Sequence, residues 1–262
     1  MIGGLRVCVV LPAYNAAGTL ERTVAEIPPE VDRILLVDDA SRDGTAELAG
    51  RLGIETIVHP ANRGYGGNQK SCYRAALGGP EEVVVMLHPD YQYSPRLLLA
   101  MASMLASGHY DVVLASRILG GGARSGGMPW WRYLANRVLT LVENLLLGAK
   151  LSEFHSGFRA FRREVLATLP LAENSDDFVF DNQILVQALA AGYRIGEISC
   201  PTRYFEEASS ISFLRSVRYG FGVLACAGAG WLGRLGLPSA RFLRPGGRRL
   251  TDPQPGGVAA SR

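Results

Sequence analysis

The chain has 262 residues, of which 48% are hydrophobic and 19% are charged, and this composition excludes a low-complexity or disordered protein. A chain of this length forms one large domain or two small ones with a substantial buried core. The balance of 27 Lys and Arg against 24 Asp and Glu gives a formal charge of +3, which is too slight to indicate a nucleic-acid partner, so any anion site must be local.

Strand-like and helix-like segments alternate over the first 116 residues. Runs rich in β-branched residues, separated by amphipathic segments, are typical of parallel strands that are buried on both faces of a sheet. The first apolar run meets Pro12 at once and lacks a cleavage-site pattern, which predicts a strand rather than a signal peptide. We therefore predict an α/β fold with a mostly parallel sheet flanked by helices. The predicted strands are RVCVVLP, RILLVDD, ETIVH, EVVVMLHPD and DVVLASR, and the predicted helices are TLERTVAEI, GTAELAGRLG, GGNQKSCYRAAL and SPRLLLAMASMLASG.

The pattern changes from about residue 118. A glycine-rich loop, GGGARSGGM, precedes a long helical segment, PWWRYLANRVLTLVENLLLG, and later segments predict a helix around FDNQILVQALAAG and a strand at RIGEISCP. No Pro- or Ser-rich linker divides the chain, so we predict one domain over residues 1–237, with halves at 5–117 and 118–211 and an amphipathic helix at 212–237. The apolar stretch in that helix, FGVLACAGAGWLG, is shorter than the ~20 residues that span a bilayer. The tail, residues 238–262, is rich in Pro, Gly and Arg and is predicted to be disordered.

Polar residues follow four of the predicted strands at their carboxyl ends. The segments are Pro12 to Asn15, Asp38 and Asp39, His88 to Asp90, and Ser116 and Arg117. In open α/β sheets, ligands bind in the crevice beyond these ends. The clustering therefore predicts a ligand site at this edge of the sheet.

Three carboxylates at this edge suit a nucleotide and a metal ion. Asp38 and Asp39 either cap the helix that follows or accept hydrogen bonds from a nucleobase or ribose, and two adjacent acids are more than a cap requires. Asp90 either accepts backbone NH groups of its own turn or holds a divalent ion, because Mg²⁺ on phosphates is often bound by only one or two carboxylates. His88 either binds a metal, where imidazole suits Mn²⁺ better than Mg²⁺, or only stacks in the loop.

Two further features suit a phosphate. The segment NRGYGGNQK, residues 62–70, offers glycines and Lys70 before a helix, but it is neither a Walker A loop nor a complete GxGxxG motif. Glycines before helices also serve ordinary packing. Among the arginines of the second half, Arg117 directly follows an apolar strand, where bidentate contacts would stabilise the charge of a leaving diphosphate.

Taken in order, the motifs resemble those of a known enzyme family. VVLPAYNAAGTLERTV, ILLVDDASRDGT, NRGYGGN, PDYQ, ASR and SGFRAFRREVL follow one another as in family 2 glycosyltransferases with a Rossmann-like GT-A fold. The set most resembles the branch of dolichyl-phosphate mannose synthases and other polyprenyl-phosphate glycosyltransferases, and it covers residues 5 to about 237. The resemblance implies transfer of a sugar from a nucleotide diphosphate sugar, with inversion at the anomeric carbon. Residues 5–117 would bind this donor and residues 118–211 the acceptor.

Combined with the positions above, the resemblance implies roles for individual residues. A divalent metal, Mg²⁺ or Mn²⁺, is expected on Asp90, which matches the second acid of the family's Asp-x-Asp motif, with His88 in place of the first. Arg203 is a candidate substitute for a family arginine where this chain reads Phe205. Donor contacts are expected from Pro12, Tyr14, Asn15, Asp38, Asp39, Asn62, Gly64, Gly67, Lys70, His88 and Gln92. Catalytic roles are expected for Asp90, Arg117, Asp177 and Asp181, and acceptor contacts for Arg132, Ser156, Gly157, Arg159 and Arg203.

The sequence leaves the acceptor open between two chemistries. A hydroxyl acceptor needs a general base, whereas a lipid monophosphate arrives ionised and needs none. Asp177 or Asp181 would serve as that base if it pointed into the cleft, and would only cap its helix otherwise. Trp130, with the apolar residues and arginines of 212–237, favours a polyprenyl phosphate at a membrane interface. The alternatives are a hydroxyl acceptor, such as a glycan or small molecule, and a nucleotide-sugar binder without catalysis, which His88 suggests.

The cysteines bear on the compartment. Four of them are scattered without CxxC spacing, which predicts neither a zinc site nor a disulfide framework and fits a reducing cytosol. We expect a cytoplasmic protein, associated at most peripherally with the inner face of the cell membrane, and no nucleic-acid partner.

Overall fold

The computed structural model describes residues 1–202, 213–238 and 240–253, in which strands and helices alternate. The strands are Val7–Ala13 (β1), Arg33–Asp38 (β2), Glu55–Val58 (β3), Val83–Met86 (β4), Val112–Ser116 (β5), Arg159–Arg162 (β6) and Ile195–Ser199 (β7). The α-helices are Ala17–Ala25 (α1), Thr45–Arg51 (α2), Tyr65–Leu77 (α3), Leu98–Ala106 (α4), Gly122–Ser125 (α5), Trp130–Leu147 (α6), Arg163–Thr168 (α7), Phe180–Ala190 (α8) and Phe213–Arg234 (α9). Short 3-10 helices cover Pro95–Leu97, Leu171–Glu173 and Arg241–Leu243.

The strands form one sheet in the order β3-β2-β1-β4-β6-β5-β7. β1 pairs in parallel with β2 and β4, β2 with β3, and β5 with β7. β6 runs antiparallel between β4 and β5, so that Ala160 lies opposite Val85 on one side and Val113 on the other. The sequence does not predict this strand, because its four residues, RAFR, begin and end with arginine. β4 and β5 therefore meet only through β6.

The central strands are buried on both faces, as their continuous apolar runs predict. In β1, Cys8 and Val10 belong to a core that lies against α3, α7, α8 and α9. Val9 and Leu11 belong to a second core, which includes Leu20 of α1 and residues of α2 and α4. Each fully buried Leu or Val contributes roughly 1.5–3 kcal/mol, so the two layers stabilise the central strands from both faces.

The predicted α/β architecture and the predicted C-terminal amphipathic helix are confirmed. α6 and α9 pack against each other, and α9 also packs against α8. None of the described helices is long and apolar enough to cross a membrane.

The predicted tail differs from its expected disorder over the part that the structure describes. Residues 240–253 pack against the domain, with Phe242 and Leu250 buried. Arg248 forms an ion pair of 2.8 Å with Glu173. Two apolar side chains and this contact dock a segment whose composition alone indicates disorder. Residue 239 and residues 254–262 of the predicted tail lie outside the described residues.

Candidate active site

A cleft of about 1590 Å³ opens at the carboxyl ends of β1 and β4, with residues of α6 and α9 on its other side. This is the sheet edge that the sequence predicts for a ligand. The cleft brings together residues of both predicted halves. Those predicted for the site that line it are Pro12, Tyr14, Asn15, Asp39, Asn62, Gly64, His88, Asp90, Gln92, Arg117, Arg132, Gly157, Asp177 and Asp181.

Asp39 is the member of the acid pair that lines the cleft, and it organises the loop before α3. Its Oδ1 accepts the backbone NH of Arg63 at 2.8 Å and lies 2.7 Å from His59 Nδ1. Its Oδ2 accepts the backbone NH of Gly64 at 3.0 Å, and the Asn62 amide donates to the Asp39 carbonyl oxygen at 3.2 Å. These contacts hold Asn62 and Gly64 in the cleft wall.

His88, Tyr65 and Asp181 form a hydrogen-bonded chain in the cleft. The Tyr65 hydroxyl lies 2.6 Å from Asp181 Oδ2 and 2.9 Å from His88 Nε2. The Tyr65 hydroxyl donates to Asp181, so its oxygen accepts from His88 Nε2–H. This arrangement leaves His88 Nδ1 with a free lone pair, the form of imidazole that binds metals. Burial and the neighbouring Asp181 raise the pKa of Tyr65 well above its ordinary value.

Asp90 follows β4 and keeps partial exposure to the cleft. The backbone NH of Gln92 donates to its Oδ1 at 3.1 Å, and the surrounding protein raises its pKa by desolvation. Such a carboxylate is stabilised in its charged form by a cation. No group of three or more His, Cys, Asp or Glu that could hold a metal occurs among the residues that the structure describes. Asp90 and His88 therefore fit only a metal ion whose other ligands are phosphate oxygens and water.

Arg117 follows β5 and is held at the cleft wall by the fully buried Glu153. Its backbone NH and its Nε each donate to Glu153 at 2.8 Å, and its Nη2 donates to the His155 carbonyl at 3.0 Å. The Asn136 amide donates to the same carboxylate at 2.8 Å. Although burial opposes ionisation, the charge and hydrogen bonds of Arg117 hold the pKa of Glu153 below its ordinary value. The guanidinium is thus fixed in one orientation beside the cleft.

The glycine-rich segment ties α3 to the loop before α8. The backbone NH groups of Gly66 and Gly67 donate to the Asp176 carbonyl oxygen at 2.8 and 3.2 Å. The Lys70 ammonium donates to the Asp176 carboxylate at 2.8 Å and to the Asn174 carbonyl. Gly67 and Lys70 line a separate cavity and not the cleft, so their expected donor contacts are corrected to polar contacts with the loop before α8.

Asp38, Ser156 and Arg159 are buried and do not line the cleft. Asp38 accepts the backbone NH of Ser41, in the turn after β2, at 3.0 Å, and it does not cap α2, whose N-cap residue is Gly44. The fully buried Arg159 donates to the carbonyls of Phe154 at 2.9 Å, Ser156 at 2.6 Å and Asp181. Their expected ligand contacts are corrected to contacts within the protein, although Asp38 Oδ1 is buried without a hydrogen-bond partner among the described residues.

The two acids considered as a base lie in different surroundings. Asp181 is 6% exposed, and its carboxylate accepts from Tyr65 at 2.6 Å and from the Gln69 amide at 2.9 Å. Asp177 is exposed, and its Oδ1 accepts the backbone NH of the next residue at 2.8 Å near the start of α8. Arg203, expected at the acceptor, lies outside the described residues.

Two adjoining helices expose apolar side chains beside the cleft, and we call this the α6–α9 apolar surface. Its residues recur every three, four or seven positions, which places them on one face of each helix. Contiguous exposed apolar surface marks an interaction site in soluble proteins. Arg132, Arg215 and Arg218 line the cleft next to it. The surface consists of Trp130, Leu134, Val138, Leu141 and Leu145 on α6, of Val217, Phe221, Leu224 and Trp231 on α9, and of Leu235 directly after α9.

Sequence reasoning missed a second polar chain, formed by Glu143, His155 and Tyr219. His155 Nε2 lies 3.3 Å from Glu143 Oε2, and His155 Nδ1 lies 3.0 Å from the Tyr219 hydroxyl. Burial raises the pKa of Glu143 to about 8 and lowers the pKa of His155 to about 4. The available signal is Glu143 itself, a lone acid within the apolar run LTLVENLLL. Tyr65, also missed, lies inside the NRGYGGNQK segment.

A family model described as Glycosyl transferase family 2 matches residues 8–169. Glycosyltransferase AglD of Haloferax volcanii is 30% identical over 207 residues, which are 74% of this chain and 32% of that protein, so the chain spans about a third of this relative. Polyprenol monophosphomannose synthase of Mycolicibacterium smegmatis is 28% identical over 79% of this chain and 80% of its own length. Undecaprenyl-phosphate mannosyltransferase of Micrococcus luteus is 29% identical over 74% of this chain and 82% of its own length.

Solved structures share the fold. Glucosyl-3-phosphoglycerate synthase from Mycobacterium tuberculosis, crystallised with Mn²⁺, uridine diphosphate and glucosyl-3-phosphoglycerate, matches 91% of this chain and 82% of its own with a TM-score of 0.65 and 20% identity. The same enzyme with Mg²⁺ and uridine diphosphate gives a TM-score of 0.68 at 21% identity over the same shares. At this identity the likeness shows a common architecture.

Proposed function

This chain belongs to glycosyl transferase family 2, whose model matches more than half of its length, and we propose that it transfers a sugar from a nucleoside diphosphate sugar to a polyprenyl phosphate, with inversion and with a divalent metal ion. The relatives named for polyprenol and undecaprenyl phosphate support this acceptor class. The cleft supports it independently, through its polar donor end and its cationic, apolar opposite side.

The donor occupies the end of the cleft at β1 and β4. Asp90 and His88 would hold the metal ion on the diphosphate, and the fixed guanidinium of Arg117 would lie beside it. A bound divalent ion supplies charge stabilisation to the departing nucleoside diphosphate. Nucleoside contacts come from the residues at the ends of β1 and β2 and from the loop before α3, namely Pro12, Tyr14, Asn15, Asp39, Asn62 and Gly64, with Gln92 near the diphosphate.

The charge beside the α6–α9 apolar surface is the observation that carries the acceptor assignment. Arg132, Arg215 and Arg218 line that side of the cleft and suit a phosphate, while the apolar surface suits a hydrocarbon chain. An acceptor phosphate oxygen attacks the anomeric carbon as the bond from that carbon to the diphosphate breaks, and the bonding electrons leave with the nucleoside diphosphate. No proton has to be removed, which agrees with the engagement of Asp181 by Tyr65.

A pair of acceptors of equal chain length tests the function. Purified protein is incubated with labelled uridine and guanosine diphosphate sugars, Mg²⁺ or Mn²⁺, and either a short polyprenyl phosphate or the corresponding polyprenol. We expect an acid-labile glycolipid from the phosphate alone, and none from the Asp90→Asn variant. Transfer to the polyprenol or to another hydroxyl would contradict the proposal and make the exposed Asp177 the candidate base.

We further propose that the α6–α9 apolar surface lies on the membrane during transfer. Leu141 is 59% and Phe221 is 71% exposed, and burying this exposed part in lipid would contribute roughly 1–2 kcal/mol for each. Leu141→Glu and Phe221→Glu should each weaken flotation with phosphatidylglycerol vesicles at least tenfold. Val58→Glu is the matched control, because Val58 is 54% exposed on the edge strand β3. Equal flotation of all three variants and the wild type would refute membrane binding through this surface.

A further inference from the structure

A chain of three polar side chains runs from the fully buried Glu143 of α6 through His155 to Tyr219. His155 and Tyr219 line the cleft. Glu143 Oε2 and His155 Nε2 are both buried, and neither has a hydrogen-bond partner in the described part of the chain apart from the 3.3 Å contact between them. The other Glu143 oxygen accepts from the Asn182 amide. The Tyr219 hydroxyl has His155 Nδ1 as its one polar partner among the described residues.

The two facing atoms must share one hydrogen, because two buried lone pairs at this distance would leave both atoms unsatisfied. One arrangement has Glu143 protonated and donating to His155 Nε2. The other has an ionised Glu143 that accepts from His155 Nε2–H. The Asn182 amide satisfies the second carboxyl oxygen in both arrangements.

The imidazole of His155 couples these arrangements to the direction of the Tyr219 O–H. When His155 Nε2 accepts, Nδ1 of the neutral ring carries the hydrogen and donates to the Tyr219 oxygen, so the Tyr219 O–H is directed into the cleft. When Nε2 carries the hydrogen, Nδ1 is bare and accepts the Tyr219 proton, so the cleft meets only the oxygen lone pair. An anionic ligand is bound by the first arrangement and repelled by the second.

We propose that the ionisation of Glu143, transmitted through the tautomer of His155, decides whether Tyr219 offers a hydrogen-bond donor to the acceptor phosphate. One proton leaves Glu143 for solvent, the His155 hydrogen changes from Nδ1 to Nε2, and the Tyr219 hydrogen turns from the cleft to Nδ1. The inference rests on the proposed phosphate acceptor. Tyr219 would contact that acceptor, and Glu143 and His155 are positioning residues.

The surroundings favour the donating arrangement at neutral pH. Burial raises the pKa of Glu143 to about 8 and lowers the pKa of His155 to about 4, so both are uncharged near pH 7. The nearby charged groups form two ion pairs, and within each pair the effects of the positive and the negative charge on these pKa values largely cancel. The titratable groups that face Glu143, His155 and Tyr219 are Arg117 and Glu153, Arg159 and Asp181, and Cys226, whose own pKa is raised by burial.

Acceptor kinetics at pH 6.5 and pH 9 test the proposal. For the wild type, the KM for a short polyprenyl phosphate should rise about tenfold with a midpoint near pH 8, because a hydrogen bond to a charged group is lost, while kcat changes far less. Glu143→Gln should keep the low KM at pH 9, since its amide nitrogen still donates to His155. Tyr219→Phe should have the high KM at both pH values. Glu173→Gln is the control, because Glu173 does not line the cleft, and it should follow the wild type.

A spectroscopic measurement without substrate separates this inference from the proposed function. Nitrogen-15 NMR of the four labelled histidines, with His155 assigned through His155→Gln, reports which ring nitrogen carries the hydrogen. We expect Nδ1–H at pH 6.5, Nε2–H at pH 9, and Nδ1–H throughout in Glu143→Gln. A wild-type tautomer that does not change, or a KM rise that Glu143→Gln shares, would overturn the inference. The expected tautomer change without transfer to any lipid phosphate would overturn the acceptor instead.

Discussion

Replacing Arg159 with Met should destabilise the fold rather than weaken acceptor binding alone. The family resemblance implies an acceptor contact for this arginine, whereas the structure buries it completely on β6. Its guanidinium donates to three backbone carbonyls, those of Phe154, Ser156 and Asp181, and lies 3.7 Å from the Asp181 carboxylate. Met keeps much of the apolar stem but removes every donor, so these oxygens remain buried without a partner.

The magnitude follows from those contacts. Removing one partner of a buried ion pair costs about 3–5 kcal/mol, and each carbonyl left without a donor costs about 1–3 kcal/mol within that total. We expect the free energy of unfolding to fall by about 3–5 kcal/mol, a large part of the 5–15 kcal/mol typical of a domain. At about 2–4 °C per kcal/mol, Tm should fall by roughly 6–20 °C.

Urea denaturation followed by tryptophan fluorescence measures this change. Arg96→Met is the matched control, because the Arg96 side chain is 77% exposed and forms a single ion pair of 3.7 Å with Glu26, worth at most about 1 kcal/mol. A free energy of unfolding for Arg159→Met within 1 kcal/mol of the wild type would refute the reasoning. If that variant were stable and lost only acceptor affinity, the contact implied by the family resemblance would be correct.

Three further predictions concern the metal, the buried acid and the glycine-rich segment. Asp90→Asn should weaken Mn²⁺-dependent binding of nucleoside diphosphates in calorimetry at least about tenfold more than His88→Ala, and equal binding by Asp90→Asn and wild type would contradict the metal assignment. Because the pKa of Glu143 is about 8 in the fold and 4.5 ordinarily, the unfolded chain loses this proton first, and the wild-type free energy of unfolding should fall by about 1.4 kcal/mol from pH 7 to pH 9. Glu143→Gln should lack this fall in urea titrations, and a fall of equal size in both proteins would exclude Glu143 as its source. Gly66→Ala should cost about 1–3 kcal/mol of stability, because its Cβ would overlap the carbonyl oxygen of Ser175. Gly50→Ala, whose Cβ would meet nothing within 4 Å, should instead stabilise α2 by about 0.5–1 kcal/mol. Thermal melts that fail to separate the two variants would count against the described packing.

The sheet and the edge that carries the cleft are predictable from the sequence because both follow from simple periodicities. Buried parallel strands appear as apolar runs, and the topology of open α/β sheets puts ligands at their carboxyl ends. Which of two adjacent acids lines the cleft depends on the turn that follows β2, and no sequence pattern reports it. Asp38 and Asp39 therefore could not be separated. Whether Lys70 lines the cleft similarly depends on the rotation of α3 about its axis.

The remaining differences come from contacts between distant parts of the chain. β6 is four residues long, which is too short to show a hydrophobic periodicity. Arg159 is stable in it only because the loop before β6 and α8 supply hydrogen-bond acceptors. Glu143, His155 and Tyr219 meet because α6 packs against α9. A lone acid in an apolar helix predicts a polar partner, but the sequence contains no information about which helix brings it.

The strand order β4-β6-β5 decides how the chain can be divided. A fragment that ends at residue 117 would leave β5 with no neighbour on either side, since β6 and β7 both come later in the chain. A single backbone cut at the exposed Gly121, in contrast, leaves all seven strands paired, so the two pieces should stay together as a nicked molecule. The segment between β5 and α6 is thus the place for an inserted reporter or for new termini, whereas residues 5–117 alone would not fold.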